Sequence, residues 1–247
     1  MRSLAVLFPR LLRDRLSRSV VATALVLLFT SPLLRAGESG FADGYMAGRK
    51  LGAASTANLV GLLLALAAPW LAEGVVSDLR RNGSGPLLLT RPVSRPGFYF
   101  ARWLAGFACL AGVAIIAAAT INMAWSAGGG SGPGLSLAGS IGAGFVIWIW
   151  VGSTVLLLSA VLDRGETLAG TLLVAIPIAL TASLPTTDLM ASVARLMPVR
   201  PILNAARAFL TGDVPVLSTL VTTGGWGLTI LGIGLFVASR WDWRAGD

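Results

Sequence analysis

The feature that most constrains this chain is a series of apolar stretches, each close to the length that crosses a bilayer. They lie at 20–34, 53–72, 101–125, 135–162, 167–184 and 214–239. A transmembrane helix needs about 20 mostly apolar residues for a hydrocarbon core of roughly 30 Å. Within that core, only helices and closed barrels satisfy their own backbone hydrogen bonds. The sequence therefore predicts an all-α, polytopic membrane protein with six transmembrane helices.

The composition supports a membrane protein that forms one domain. Hydrophobic residues make up 55% of the 247 positions and charged residues only 12%, whereas soluble domains carry about 25% charged residues. No polar region is long enough to fold as a separate soluble domain. We therefore treat 1–247 as a single transmembrane domain.

Residues 2–18 precede the first apolar stretch and have an amphipathic pattern. Five arginines alternate with leucines that recur at intervals of three and four residues. This pattern is typical of a helix that lies in the membrane interface, and we expect Pro9 to bend or restart it. A signal peptide with 20–34 as its apolar core is the alternative, although no small-residue cleavage site follows convincingly.

The arginines and the single lysine predict the orientation of the chain. With six spans, thirteen of these cationic residues fall on the side of the two termini and six on the other side. Cytoplasmic flanks carry the excess of Lys and Arg. Both termini are therefore expected in the cytoplasm, with the protein in the plasma (inner) membrane.

Several classes of function are excluded by residues that the chain does not have. There is no histidine, and Cys109 is the only cysteine, so a zinc site, a Ser-His-Asp triad and an intrachain disulfide are not expected. Cys109 lies in an apolar run and is interpreted as a small buried hydrophobe. We predict neither catalytic nor metal-binding residues in this chain.

Nucleotide and nucleic-acid binding are also not expected. The only lysine lies in Gly48-Arg49-Lys50-Leu51, which does not match the Gly-Lys-Ser/Thr of a P-loop. The net charge of +8 is distributed beside apolar spans, and no soluble basic surface is left for a duplex. The chain is therefore interpreted as a non-enzyme without a cofactor of its own.

A charged segment with two prolines, 73–95, separates the second apolar stretch from the third. Val75, Val76 and Leu79 can form one apolar face of a short helix, and the polar residues between them can face a soluble partner. Such a segment is suited to dock against another protein. An ordinary solvated loop with orienting arginines is the alternative.

Three features of the chain together resemble the type-2 ABC transporter permeases. The first is Leu87-Leu-Leu-Thr-Arg-Pro-Val-Ser-Arg95, which is similar to the family's cytoplasmic loop between spans two and three. The second is Met197-Pro-Val-Arg-Pro-Ile-Leu-Asn-Ala-Ala-Arg-Ala-Phe-Leu-Thr-Gly-Asp213, similar to the family's amphipathic outer segment before the last span. The third is the overall plan, including the tight turn Asp163-Arg164-Gly165-Glu166. One departure is Gly83-Ser84-Gly85-Pro86, which replaces the family's Gly-Thr-Leu/Ile-Glu.

The resemblance implies the membrane subunit of an ATP-driven exporter, with an amphipathic or apolar substrate. ATP and Mg would be bound by separate ABC ATPase subunits, and a second permease chain, identical or related, would complete the membrane dimer within the membrane lipids. A cytoplasmic coupling helix between spans 2 and 3 would contact the ATPase. The residues expected at this ATPase-coupling interface are Ser77, Asp78, Arg80, Arg81, Arg91 and Arg95.

Two alternatives to the exporter stay open. Within the family, the haem-handling permease of cytochrome c maturation is the second candidate, weakened by the absence of histidine. A stand-alone secondary transporter is the other, although ion coupling would require ionisable residues near the centre of a span.

Four residues within the apolar stretches are candidates for a substrate path: Asn58, Asn122, Trp148 and Trp150. Amides in hydrocarbon either bond across helices or line a wet cavity, and the tryptophans either flank a substrate or simply pack. Gly224, Gly225 and Gly227 allow close approach of a neighbouring helix, including at a dimer interface.

Overall fold

The computed structural model describes residues 2–39, 45–73, 94–127, 134–162, 165–177 and 199–240. Within these ranges the chain is helical, without strands, so the all-α prediction is confirmed for the described residues. The α-helices are α1 (Arg2–Ser39), α2 (Tyr45–Ala72), α3 (Arg95–Ala127), α4 (Leu137–Val161), α5 (Glu166–Gly170), α6 (Val199–Thr211) and α7 (Leu217–Arg240), and a π-helix covers Thr171–Ala175.

Helix α1 differs from the sequence prediction because it is continuous. The predicted interfacial helix over 2–18 and the first predicted span over 20–34 form one helix of 38 residues, which passes through Pro9 without a break. Between Arg10 and Ser31 there is no glycine or proline, so nothing in the backbone interrupts the helix between the two segments. The basic part of α1 is therefore a rigid extension of its apolar part.

Among the described residues, three helices, α3, α4 and α7, are long and apolar enough to cross a membrane. They correspond to the third, fourth and sixth predicted spans. The second predicted span lies in α2, where Thr56–Ala72 is a shorter apolar helix, and the first lies within α1. The fifth falls partly outside the described residues.

Helix α4 is the centre of the bundle. It packs against α2, α3, α5, α6 and α7, and most of its residues between Ala143 and Ala160 are buried. Neighbouring α3 runs antiparallel to it, as shown by ring centroids 6.2 Å apart for Trp103 and Trp148 and 5.6 Å apart for Phe107 and Phe145. Helix α4 therefore positions most of the other elements.

Helix α7 runs parallel to α4 and packs through glycines. A Cβ atom at Gly227 would lie 2.8 Å from Ile149 Cγ1, and one at Gly234 would lie 3.4 Å from the nitrogen of Leu157. Both positions accept only a very small residue because the α4 backbone is so close. The end of α6 lies beside the start of α4, where the Ser136 N–H donates to the carbonyl of Leu210 over 2.8 Å, so α7 begins at the same end of the bundle as α4.

A turn with a left-handed glycine joins α4 to α5. Gly165 has φ +81°, a conformation that glycine adopts without steric cost, and the buried Glu166 follows at once. After α5, the N–H of Ile176 donates to the carbonyl of Thr171, five residues back. This wider π-helical spacing occurs just before Pro177, whose nitrogen cannot donate.

The amphipathic segment expected before the last span is helix α6. Its buried face includes Ile202, Ala206 and Leu210, whereas Asn204 and Arg207 are exposed. It ends at Gly212, whose φ of +79° is typical of a glycine helix end. Both the helix and its glycine turn agree with the sequence prediction.

Candidate functional site

One end of the bundle concentrates the charged side chains, and we call it the basic end. Here α4 and α7 end and α3 begins, because α3 is antiparallel to α4 and α7 is parallel to it. We define the basic end by Arg95, Arg102 and Arg240, together with the acidic Glu166. The end of α2 lies further along the bundle, where the Leu71 carbonyl is beside Gly106, about three turns into α3.

Two arginines of α1 bind the end of α2. Arg15 is buried and donates from Nη1 to the carbonyl oxygen of Leu71. Arg18 Nη1 donates to the carbonyl oxygen of Glu73 over 3.0 Å, and lies 3.8 Å from the Glu73 carboxylate. The last carbonyls of a helix have no partner within the helix and carry partial negative charge. These bonds therefore cap α2 and fix its end to α1.

The start of α3 has a weaker, exposed contact with the end of α7. Arg95 Nη1 lies 3.5 Å from the carbonyl oxygen of Ser239, at the outer limit of a hydrogen bond. Two neighbouring guanidinium groups lie over aromatic rings: Arg102 over Phe98 at 5.9 Å and Arg240 over Phe236 at 5.1 Å. Arginine–aromatic stacking at these distances is favourable.

Only one residue of the predicted ATPase-coupling interface, Arg95, lies within the described residues, and it is exposed at the basic end. The remainder, Ser77, Asp78, Arg80, Arg81 and Arg91, lie outside the described residues. Arg95 follows this segment in the sequence and Glu73 precedes it. The structure therefore describes both attachment points of the predicted coupling segment.

Sequence reasoning did not single out Arg15 or Glu166, which are 5% and 1% exposed. A signal for Arg15 was present: Arg15, Arg18, Ala22 and Val26 follow each other at intervals of three and four residues, on one stripe of α1. That stripe faces a partner helix, so an arginine on it meets protein as well as headgroups. Glu166 gave no comparable signal, because its burial depends on the turn at Gly165.

The candidate path residues lie at different places in the bundle. Asn122, near the end of α3, donates from Nδ2 to the carbonyl of Leu135 over 2.8 Å and accepts from the Leu135 N–H at 3.3 Å. It therefore holds the start of α4 against α3, the cross-linking role that was one of its two interpretations. Asn58 is half-buried on α2.

The two candidate tryptophans are both buried on α4 and differ in their hydrogen bonding. Trp150 Nε1 donates to the carbonyl oxygen of Thr223 in α7 at 3.1 Å. Trp148 packs beside Trp103 and against Gly106 and Gly152. Among the described residues, no acceptor lies within hydrogen-bonding distance of the indole N–H of Trp148 or of Trp103.

Comparison with known proteins adds no assignment. No protein-family model matches the chain, and no curated protein matches it.

Proposed function

We propose that this chain is the membrane-spanning permease subunit of an ATP-driven ABC exporter. The observation that carries the proposal is the pair of attachments around segment 74–93. On the side of α2, Arg15 and Arg18 bind the carbonyls of Leu71 and Glu73. On the side of α3, Arg95 contacts the carbonyl of Ser239. A segment that receives force from an ATPase needs attachments to the spans at both of its ends.

These attachments suggest how force would enter the membrane domain. A displacement of segment 74–93 would move the end of α2, and the α1 arginines would make α1 move with it. At the other attachment, α3 would move together with the end of α7. Packed helices transmit displacement as rigid elements. The coupling helix would thereby act on four helices through two contacts.

The proposed topology has six spans, with both termini and the coupling segment in the cytoplasm of the plasma (inner) membrane. The concentration of arginines at the basic end supports this orientation, since cytoplasmic flanks carry the excess of Lys and Arg. Exposed Arg207 lies on the other side in this topology. A cysteine placed at Ser84 in a Cys109→Ala background would be inaccessible to external thiol reagents, and external labelling would overturn the orientation.

The proposed substrate is amphipathic or apolar. The interior of α3 and α4 offers aromatic surface together with two N–H groups, on Trp103 and Trp148, that have no acceptor among the described residues. A buried donor without a partner costs about 1–3 kcal/mol, so a substrate acceptor that reaches these indoles would be favoured. Asn58 and Trp150 are proposed as further path residues from their position within the spans.

A stand-alone secondary transporter is less well supported. The charged residues of α3, α4 and α7 are Arg95, Arg102 and Arg240, each within about two turns of a helix end. Ion coupling uses ionisable groups near the middle of the membrane. A haem-handling permease of the same family would need haem ligands other than histidine, because the chain has none.

The proposal is tested by purifying the tagged chain with its bound partners and measuring ATP hydrolysis in nanodiscs. We expect an ABC ATPase to co-purify, to bind ATP and Mg, and to be stimulated by the permease, while the chain alone hydrolyses no nucleotide. Recovery of the chain without an ATPase, or nucleotide hydrolysis by the chain alone that Lys50→Ala abolishes, would contradict the proposal.

The coupling segment is tested by the double substitution Arg80→Glu and Arg81→Glu. Charge reversal in a partly desolvated interface costs on the order of 2–5 kcal/mol when a buried pair is broken, and under about 1 kcal/mol at an exposed rim. We expect loss of ATPase recovery or of substrate-stimulated hydrolysis. Arg207→Glu is the control, because Arg207 is exposed on α6, away from the basic end. Wild-type values in a correctly inserted double mutant would remove these arginines from the mechanism.

A further inference from the structure

An apolar groove runs between α1 and α2 on the surface of the bundle. Its volume is about 300 Å³, at the lower end of the range of small-ligand sites, roughly 300–1,000 Å³. Its walls include Leu25 and Phe29 from α1 and Leu66 and Trp70 from α2. Ala22 and Ala67 also line the groove, and their small side chains leave room between the walls. Ligands for this groove must therefore be apolar along their length.

The groove is concave, with an exposed rim and a buried floor. Phe29 and Leu25 are 60% and 45% exposed, whereas Ala22 and Val26 are 1% and 2% exposed. Because α1 and α2 touch below the groove, the space is a slot between two packed helices. A helix with its side chains is about 10–12 Å wide and would lie across the rim without filling the slot. A single acyl chain is narrow enough to enter it.

The end of the groove beside Trp70 leads to the end of α2, where Arg18 and Glu73 lie. Arg18 lies one turn before Ala22 on α1, and Glu73 lies one turn after Trp70 on α2. The side chains of Arg18 and Glu73 are 31% and 33% exposed, and their charged atoms are 3.8 Å apart, longer than a hydrogen bond. Arg18 is therefore open to a second anionic partner, although the Glu73 carboxylate competes for it.

The charge around this end favours an anionic headgroup. The first 18 residues contain five arginines and one aspartate, and Arg13 is exposed on the same basic part of α1. Arginines next to a span attract anionic lipids. The apolar slot therefore matches the acyl chain of a phospholipid, and the arginines beside it match the anionic headgroup.

We propose that the groove between α1 and α2 binds one acyl chain of an anionic glycerophospholipid from the surrounding bilayer, with its phosphate at Arg18. The site does not depend on the proposed transport function. A lipid here would cover the exposed rim and contact both helices that meet at the Arg15 and Arg18 contacts. It would thereby stabilise the packing of α1 against α2.

The site is tested by fluorescence quenching of Trp70 in nanodiscs that contain phospholipids brominated on the acyl chain. The difference between the wild-type chain and Trp70→Phe isolates the signal of this tryptophan. We expect saturable quenching by brominated phosphatidylglycerol, with an affinity about fivefold higher than for brominated phosphatidylcholine, as one arginine near an anionic surface predicts. Quenching that does not saturate, or that is equal for both lipids, would overturn the proposal.

Two pairs of variants separate the chain site from the headgroup site. Ala67→Phe fills the groove and should abolish saturable quenching, whereas Ala24→Phe places the same ring on an exposed position of α1 outside the groove and should not. Arg18→Gln should keep quenching but lose the preference for phosphatidylglycerol, whereas Arg13→Gln should largely keep it. Equal behaviour within either pair would contradict the assignment.

A second copy of the chain is the competing occupant of this surface. A single cysteine at Leu66, in a Cys109→Ala background, reports on it by disulfide formation between chains. We expect no cross-linked dimer at this position in lipid nanodiscs. Efficient cross-linking with loss of lipid quenching at Trp70 would assign the groove to a protein interface and overturn the lipid site.

Discussion

Helices α4 and α7 have similar length and apolar character but different surroundings. Both are long and apolar enough to span a membrane, yet 61% of the residues in the most apolar part of α4 are buried, against 22% in α7. Helix α4 has protein neighbours on nearly every side. Helix α7 buries one stripe that includes Thr223, Gly227, Leu231 and Gly234, and half of its residues are exposed.

Hydropathy therefore identifies a membrane-spanning helix but does not predict how much of that helix other helices cover. In lipid, an apolar side chain gains little from moving out of the hydrocarbon, so helices associate through close packing and hydrogen bonds. Leu228 and Phe236 of α7 are exposed in this structure. Their exposure carries no free-energy cost where lipid acyl chains surround them. What distinguishes α4 from α7 is the larger share of its surface that contacts other protein atoms.

The largest difference is expected for leucine truncation. Leu156 of α4 is fully buried, whereas Leu228 of α7 is 59% exposed. Leu156→Ala leaves a cavity and should lower the free energy of unfolding by roughly 2–5 kcal/mol. Leu228→Ala should change it by less than about 0.5 kcal/mol, as for substitutions away from packed sites. Reversible unfolding in bicelles measures both, and equal losses would mean that α7 is covered by protein on its exposed side.

A smaller difference is expected when glycines of α7 are replaced by valine. A Cβ at Gly227 would lie 2.9 Å from the carbonyl oxygen of Ile149, whereas one at Gly225 would meet nothing within 4 Å. Gly227→Val should therefore cost about 1–3 kcal/mol through overpacking. Gly225→Val carries the same change in helix propensity into open space and is the matched control. If Gly225→Val is the more disruptive of the two in the assembled protein, its face of α7 contacts another chain.

The sequence predicts the parts of the fold that depend on local pattern. The apolar runs of α3, α4 and α7 are long, and the alternation of Ile202 and Leu210 with exposed Arg207 marks α6. The continuity of α1 was missed because Pro9 was expected to bend or restart the helix, whereas α1 runs through Pro9 and on into the apolar part without a break. The turn predicted over 163–166 lies partly outside the described residues, but Gly165 has the left-handed φ of +81° that glycine tolerates without steric cost.

The candidate site was less predictable because it depends on contacts between distant residues. Arg15 and Leu71 are 56 positions apart. The stripe on α1 indicates that Arg15 meets protein, but no local pattern identifies the end of α2 as its partner. The same holds for Trp150, whose carbonyl partner Thr223 lies 73 positions away. Asn122 illustrates an intermediate case: the sequence offered both cross-linking and path-lining, and the structure shows its amide bonded to the backbone of Leu135, a contact that no local pattern predicts.

The smallest effect concerns the hydrogen bond that joins α4 to α7. Trp150 donates from Nε1 to the Thr223 carbonyl at 3.1 Å. Truncation to phenylalanine would also remove packing, so the cleaner change is benzothienylalanine at position 150, which replaces the N–H by sulfur and keeps the ring shape. Hydrogen bonds between membrane helices average about 0.6 kcal/mol and reach about 1.7 kcal/mol. A loss in this range is expected in the bicelle unfolding assay.

The matched control is the same analogue at position 148, two residues away and on roughly the opposite side of α4. Trp148 is also buried, but its N–H has no acceptor among the described residues. Removing that N–H should leave the free energy of unfolding unchanged or raise it, because a buried donor without a partner is unfavourable. Opposite responses at 148 and 150 would show that α4 is held to α3 by packing and to α7 partly by a hydrogen bond. Equal losses at both positions would mean that Trp148 also donates to an acceptor, and would remove its N–H from the proposed substrate path.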